Sequence, residues 1–208
     1  MKRGGVILCG GKSTRMGRDK ATLPFGPELM LQRVVRLLGE AVSGIVVVAA
    51  PGQELPPLPD GVRVARDERE GRGPLEGLYA GFSAIRGHAD AVFATSCDVP
   101  LLMPAFVERM FELLSEYDIA VPKDEKFHHP LGAVYRVDSV TPHIKSLLAA
   151  DRMRPFFLFE RCETLEVPVA DLRAVDQELA SLRNLNHWSN YEAALASAGF
   201  TDDDSPKT

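Results

Sequence analysis

Val6-Ile7-Leu8-Cys9-Gly10-Gly11-Lys12-Ser13-Thr14-Arg15-Met16-Gly17-Arg18-Asp19-Lys20 begins as a short apolar run, stops at two glycines and continues as a basic loop. Four apolar residues in a row, Val6 to Cys9, read as a buried strand, and the glycines turn the chain at its carboxyl end. Backbone N–H groups in such a turn cradle phosphate oxygens, and Lys12, Arg15 and Lys20 add cations that can neutralise several phosphate charges. Two familiar phosphate loops do not fit. A G-x-x-x-x-G-K-[ST] loop ending at Lys12 needs glycine where Val6 stands, and Lys12-Ser13 after Gly10-Gly11 breaks a G-x-G-x-x-G fingerprint. The same residues also suit a solvated basic turn, so the stretch alone leaves both readings open.

Further along, strand and helix alternate. Met30, Val34, Leu37 and Leu38 recur at helical spacing between Leu29 and Leu38, and Ile45-Val46-Val47-Val48 reads as a second buried strand. A Pro-rich loop from Pro51 to Pro59 leads to a strand at Val62–Ala65 and a turn at Gly71-Arg72-Gly73. Pro74 then opens a helix lined by Leu75, Leu78, Phe82 and Ile85. Ala91–Thr95 is the next strand, followed by a helix from Pro104 through Leu114. After Val121 the regularity loosens, which is read as the half that holds a variable substrate. Strands at Leu131–Arg136 and Thr164–Val169 and helices at Ser139–Ala150, Arg154–Arg161 and Trp188–Ala198 are expected there. The pattern predicts an α/β fold: a single doubly wound, mostly parallel sheet with helices on both faces and ligands beyond the carboxyl ends of its strands. Residues 1–200 are read as one domain and 201–208 as a disordered tail.

Composition narrows the function. Of 208 residues, 45% are hydrophobic and 25% charged, the proportions of a globular chain. With 24 Lys and Arg against 29 Asp and Glu, the net charge of −5 gives no footprint for nucleic acid. Neither a signal peptide nor an apolar run of the roughly 20 residues needed to span a bilayer is read, so no membrane partner is expected. Three cysteines without paired spacing, Cys9, Cys97 and Cys162, suit the reducing cytoplasm. Asp98, at the end of an apolar strand, suits a magnesium ion shared with phosphates and water, although an Asp before Val99-Pro100 also starts turns. Lys20 closes the loop that begins at Gly10, so its flexible stem can fold back toward phosphates held there, and its replacement should change stability by less than about 1 kcal/mol, as for other exposed substitutions. His128 and His129 are adjacent, point to opposite faces if extended, and suit joint chelation poorly.

Leu8-x-Gly10-Gly11-x-Ser13-x-Arg15-Met16-Gly17-x-Asp19-Lys20 resembles the amino-terminal signature of the nucleotidyltransferases, most closely the molybdenum cofactor guanylyltransferases of the MobA type. Asp67 after a strand, Gly73-Pro74-Leu75-Glu76-Gly77, Cys97-Asp98-Val99-Pro100 and Asn184-Leu185-Asn186 resemble later motifs of that family in the same order, so the resemblance runs from Val6 to about Ala198. It implies transfer of GMP from GTP to molybdenum-molybdopterin with release of pyrophosphate and Mg²⁺ as cofactor. It implies that Leu8, Cys9, Gly10, Gly11, Ser13, Lys20, Asp67 and Asp98 bind GTP. Arg15, Lys20 and Asp98 would be catalytic, with Asp98 also on the metal. A His-Pro at His129-Pro130 would lie near the pterin, and Asn184 and Asn186 would either bind the pterin or pin a loop. Transient contact with cofactor-biosynthesis or acceptor proteins is a further implication.

Two departures from the family pattern stand out. Cys9 occupies a position that is often alanine in the family, and is read as packing rather than as a nucleophile. The family's nucleotide-contacting asparagine after the second strand has no counterpart in Ala49-Ala50-Pro51. Two other functions share much of this pattern. A cytidylyl- or sugar-phosphate nucleotidyltransferase has a similar loop but commonly Leu-Ala-Ala-Gly, and a non-catalytic nucleotide-binding module would not need Arg15, Lys20 and Asp98 together.

Overall fold

The computed structural model describes residues 1–10, 19–67, 73–201 and 204. Its centre is a seven-stranded sheet built from β1 (Arg3–Leu8), β4 (Ile45–Ala49), β5 (Arg63–Arg66), β6 (Ala91–Ser96), β7 (Ile119–Lys123), β8 (Ala133–Arg136) and β9 (Thr164–Pro168). The strand order is β5-β4-β1-β6-β8-β7-β9. β1 pairs in parallel with β4 and β6, β4 with β5, and β7 with β9, while β8 runs antiparallel to both of its neighbours. Six strands therefore end at the same edge, and the chain order jumps outward from β1 in both directions, which opens a crevice beyond its carboxyl end.

Alternation sorts the side chains into two layers. On one face α1 (Met30–Gly39) and α3 (Pro104–Leu114) pack Leu31, Val34, Leu38, Phe106 and Met110 against Ile7, Val47 and Phe93. On the other, α2 (Pro74–Ile85) and α4 (Val137–Ala149) pack Leu78, Phe82, Val140 and Ile144 against Val6, Val48 and Ala94, with Leu158 of the short α5 (Phe156–Phe159) beside them. A third cluster is separate: α6 (Trp188–Ser197) sets Tyr191, Ala194 and Leu195 on Phe25 and Met30, at the small hairpin of β2 (Pro24–Phe25) and β3 (Glu28–Leu29). The carboxyl-terminal helix thus folds back onto the segment that follows the basic loop.

β1 begins three residues before the apolar run announced it. Gly4 and Gly5 lie in the strand because helices press on both faces there: a Cβ on Gly4 would lie 2.6 Å from Ile85 Cδ1, and one on Gly5 2.5 Å from Leu38 Cδ2. Among the described residues no helix is long and apolar enough to cross a membrane.

Candidate functional site

Three backbone hydrogen bonds extend the ladders past the strand ends and fix the floor of the crevice. Cys9 N donates to Val48 O (2.8 Å), Cys97 N to Leu8 O (3.0 Å) and Asp67 N to Ala49 O (3.0 Å). Cys9, Gly10, Asp67, Cys97 and Asp98 thereby arrive at one edge from three different strands. Gly10 and Gly77 let this floor close: a Cβ on Gly10 would lie 3.2 Å from Asp67 Oδ2, and one on Gly77 3.1 Å from Leu8 Cδ1 and 3.5 Å from Asp67 Oδ1. The first turn of α2 thus meets the end of β1 across the Asp67 carboxylate.

Asp67 is half-buried, and its Oδ1 is shut away from solvent with no hydrogen-bond partner among the described residues. Burial, and secondarily the charge of Glu76, push its carboxyl up to about 6.

Asp98 is the best-held side chain of the site. It is 7% exposed. Its Oδ2 accepts from the Lys20 ammonium at 2.7 Å and its Oδ1 from the Ser96 hydroxyl at 2.5 Å. Lys20 begins a one-turn 3₁₀ segment, Lys20–Thr22, capped by Asp19, whose Oδ1 accepts from Ala21 N at 2.9 Å. Its ammonium also donates to Asn186 Oδ1 at 3.0 Å. Asn186 is delivered by an anchored segment. Asp176 accepts from Ala180 N and Ser181 N (2.9 and 2.8 Å), Ser181 Oγ accepts from Met103 N (3.0 Å), and Leu185 N donates to Asp98 O (3.0 Å). Lys20, Asp98 and Asn186, far apart in the chain, form one polar cluster. Lys20 is therefore no solvated surface lysine; its side chain is 14% exposed, so the expectation that its replacement would cost little stability, as at an exposed position, does not hold.

The other expected residues divide. Leu8, Cys9 and Gly10 line the floor. The Cys9 thiol is held protonated by a hydrogen bond with Cys97 and then by burial, which agrees with a packing role and not a nucleophilic one. Gly11, Ser13 and Arg15 lie outside the described residues. Asn184 is exposed on the segment that carries Asn186. His129 turns its Nε2 to Asp124 Oδ2 (3.1 Å) and His128 to Glu166 Oε1 (2.7 Å), so the two rings serve different partners and neither joins the Lys20–Asp98 cluster.

Two residues were not anticipated. Gln53 ties three segments of the chain together: its Oε1 accepts from Ala50 N (2.9 Å), and its Nε2 donates to Asp19 Oδ2 (2.8 Å) and Cys9 O (3.3 Å). It braces the cap of the Lys20 turn from just beyond Ala49-Ala50-Pro51. A glutamine in a Pro-rich loop carries no sequence signal for this. Ser96 did carry one, since it lies two residues before Asp98, the strand spacing that shares a face.

Comparison with known proteins places the chain. A family model described as the MobA-like NTP transferase domain matches residues 5–165. A Mycobacterium avium protein named "Probable molybdenum cofactor guanylyltransferase" is 36% identical over 197 residues, covering 86% of this chain and 98% of that one. One of the same name from Mycobacterium bovis is 36% identical over 174 residues, covering 81% and 85%. Among solved structures, molybdopterin-guanine dinucleotide biosynthesis protein A from Archaeoglobus fulgidus superposes with a TM-score of 0.76 at 21% identity, covering 94% of this chain and 98% of that one, which shows the shared fold. With a strand-end site of this geometry and a family match over most of its length, the chain belongs to the MobA-like NTP transferase family.

Proposed function

We propose that the protein is a molybdenum cofactor guanylyltransferase, transferring GMP from GTP to the terminal phosphate of molybdenum-molybdopterin and releasing pyrophosphate. The observation that carries this reading is the Lys20–Asp98–Asn186 cluster at the carboxyl ends of β1 and β6, in a chain of this family. An oxygen of the acceptor phosphate attacks the α-phosphorus of GTP in line, and the bond to the β-phosphate oxygen breaks, its electron pair leaving with pyrophosphate. The acceptor is already anionic near neutral pH, so no general base is needed. Lys20 and Arg15 stabilise the charge that grows on the phosphoryl oxygens. Leu8, Cys9 and Gly10 line the guanine with backbone groups, Gly11 and Ser13 take part in binding GTP, and Asp67 accepts from the base. His129 and Asn184 face the acceptor, while Asn186 acts as a positioning residue that holds Lys20.

A magnesium ion fits the donor set. Asp98 is a hard carboxylate that already pairs with one cation, and no group of three or more protein ligands occurs among the described residues. One carboxylate completed by phosphates and waters is the usual magnesium arrangement. Asp98 would hold the ion, which when bound supplies Lewis-acid stabilisation of phosphoryl charge. Three free cysteines are in keeping with work in the reducing cytoplasm. The test is product analysis: protein, GTP, Mg²⁺ and molybdenum-molybdopterin should give a product heavier by one GMP, with one pyrophosphate released for each. Pyrophosphate absent with every acceptor tried would leave a nucleotide-binding module instead.

A further inference from the structure

Ala50-Pro51-Gly52-Gln53 is a tight turn: proline stands second, Gly52 third at φ +71°, and Gln53 N donates to Ala50 O at 3.2 Å. Arg66 of β5 fastens the turn, its Nη1 donating to Ala50 O (2.9 Å) and Gln53 O (3.1 Å). The half-buried Gln53 side chain therefore starts from a fixed point. Its amide also has one favoured orientation. Oε1 accepts from Ala50 N, while Nε2 spends its two hydrogens on Asp19 Oδ2 (2.8 Å) and Cys9 O (3.3 Å). Turned over, the amide oxygen would face a carboxylate and a carbonyl. Cys9 belongs to the crevice floor at the end of β1, and Asp19 is the cap whose other oxygen accepts from Ala21 N (2.9 Å) in the Lys20 turn. One amide thus fixes the separation between the floor and the backbone that carries Lys20.

We propose that Gln53 is a positioning residue of nucleotidyl transfer: through Asp19 it sets how far the Lys20 ammonium stands from the Cys9–Gly10 floor. The proposal rests on the guanylyltransferase reading, in which the floor meets the base and Lys20 meets the phosphoryl oxygens. Base and phosphates belong to one covalent frame, so contacts at its two ends act together only when their own separation matches it. The Lys20 ammonium is directed by Asp98 Oδ2 (2.7 Å) and Asn186 Oδ1 (3.0 Å), and its backbone by Asp19 and Gln53. Losing the second hold lets the whole turn shift. A hydrogen bond to a carboxylate is worth about one to two decades in an equilibrium. A shift of about 1 Å at a reacting centre costs on the order of a hundredfold in rate. Charge, not shape, decides the substitution at this position. Glutamate has the outline of glutamine but sets a carboxylate oxygen against Asp19 Oδ2 and Cys9 O. Changing Asp19 to asparagine as well turns that repulsion back into a hydrogen bond: Asn keeps the cap on Ala21 N through Oδ1, and its Nδ2 donates to the glutamate.

The experiment compares the full chain with Gln53→Ala, Gln53→Glu and the Gln53→Glu/Asp19→Asn pair by amide hydrogen exchange and by initial-rate kinetics. Exchange in the peptide holding Ala21, Thr22 and Leu23 should be about tenfold faster in Gln53→Ala and faster still in Gln53→Glu. Adding Asp19→Asn to Gln53→Glu should slow it again by at least about threefold. In kinetics, Gln53→Ala should lower kcat at least about tenfold while KM for GTP moves less than about threefold, and the double variant should regain at least about threefold in kcat over Gln53→Glu. A merely structural role would lower the unfolding midpoint and leave the kcat of folded protein unchanged. Exchange in Gln53→Ala within about twofold of the unaltered chain, or a double variant no better than Gln53→Glu, overturns the proposal. Faster exchange with unchanged kcat overturns its catalytic half. Exchange needs no turnover, so the expected exchange pattern in a chain that transfers no nucleotide would support the brace and overturn the guanylyltransferase reading instead.

Discussion

Replacing Lys20 by methionine, which keeps most of the side-chain volume, should weaken both the fold and the reaction. Lys20 and Asp98 lie 2.7 Å apart with side chains 14% and 10% exposed. At an effective dielectric near 20, charges at that distance attract by about 6 kcal/mol, and desolvation of the two ions offsets much of this. Removing only the cation leaves the carboxylate buried with its desolvation uncompensated. That costs about 3–5 kcal/mol in a sealed interior, and about 2–3 kcal/mol here, where Ser96 still donates and the crevice admits water. For a chain of this length the unfolding midpoint should drop by roughly 5–10 °C. Asp98→Asn combined with Lys20→Met should regain at least about 1 kcal/mol over Lys20→Met alone, because the orphaned charge is gone. In the reaction, losing a cation at developing phosphoryl charge should lower kcat/KM for GTP by about two to three decades. Denaturant unfolding of the single and double variants, with initial-rate kinetics, measures both. An unchanged midpoint for Lys20→Met together with additive energies in the cycle would refute a buried, coupled pair.

Three other outcomes follow from the same geometry. Asp98→Asn should lower kcat about a hundredfold while weakening GTP binding much less, because a metal ligand acts most strongly in the transition state; equal kcat at limiting Mg²⁺ would remove Asp98 from the metal. Asp67 titrates near 6 in the folded chain, above the usual value near 4, so the native state holds the extra proton and its stability should fall as pH rises from about 4 to about 6. GTP affinity should rise as the folded-state carboxyl ionises, around pH 6, and both trends should vanish in Asp67→Asn, as calorimetry and unfolding from about pH 4 to about 7 will show. Thr95 is fully buried with its hydroxyl unpartnered among the described residues, so Thr95→Val should raise stability by about 1 kcal/mol in denaturant unfolding; a loss of that size would mean the hydroxyl has a partner.

Much of the architecture was legible because buried parallel strands announce themselves as continuous apolar runs: β4 and β6, with α2 and α3 opened by Pro74 and Pro104, stand where periodicity put them. The direction of β8 was not, since a strand's own pattern does not fix its partners' sense, and its reversal emerges only from pairing with β6 and β7. The β2–β3 hairpin was missed because two-residue strands show no alternation. The site was legible one residue at a time: Lys20, Asp98 and Asn186 were each singled out, but their contact depends on α6 packing against Phe25, which brings the chain's two ends together. Gln53 escaped because its role lies in bridging a loop to Asp19, and a side chain's reach across a turn leaves no periodic trace.

Whether this site guanylylates a pterin phosphate is read from kcat/KM for GTP, CTP and ATP, each with molybdenum-molybdopterin and Mg²⁺. Guanine alone among these bases carries a ring N–H beside an amino group, and the Asp67 carboxyl would accept from that edge through Oδ2, its Oδ1 being shut away. GTP should therefore exceed either competitor by at least about a hundredfold. Comparable turnover with CTP would contradict guanylyl transfer and move the protein to the cytidylyltransferases.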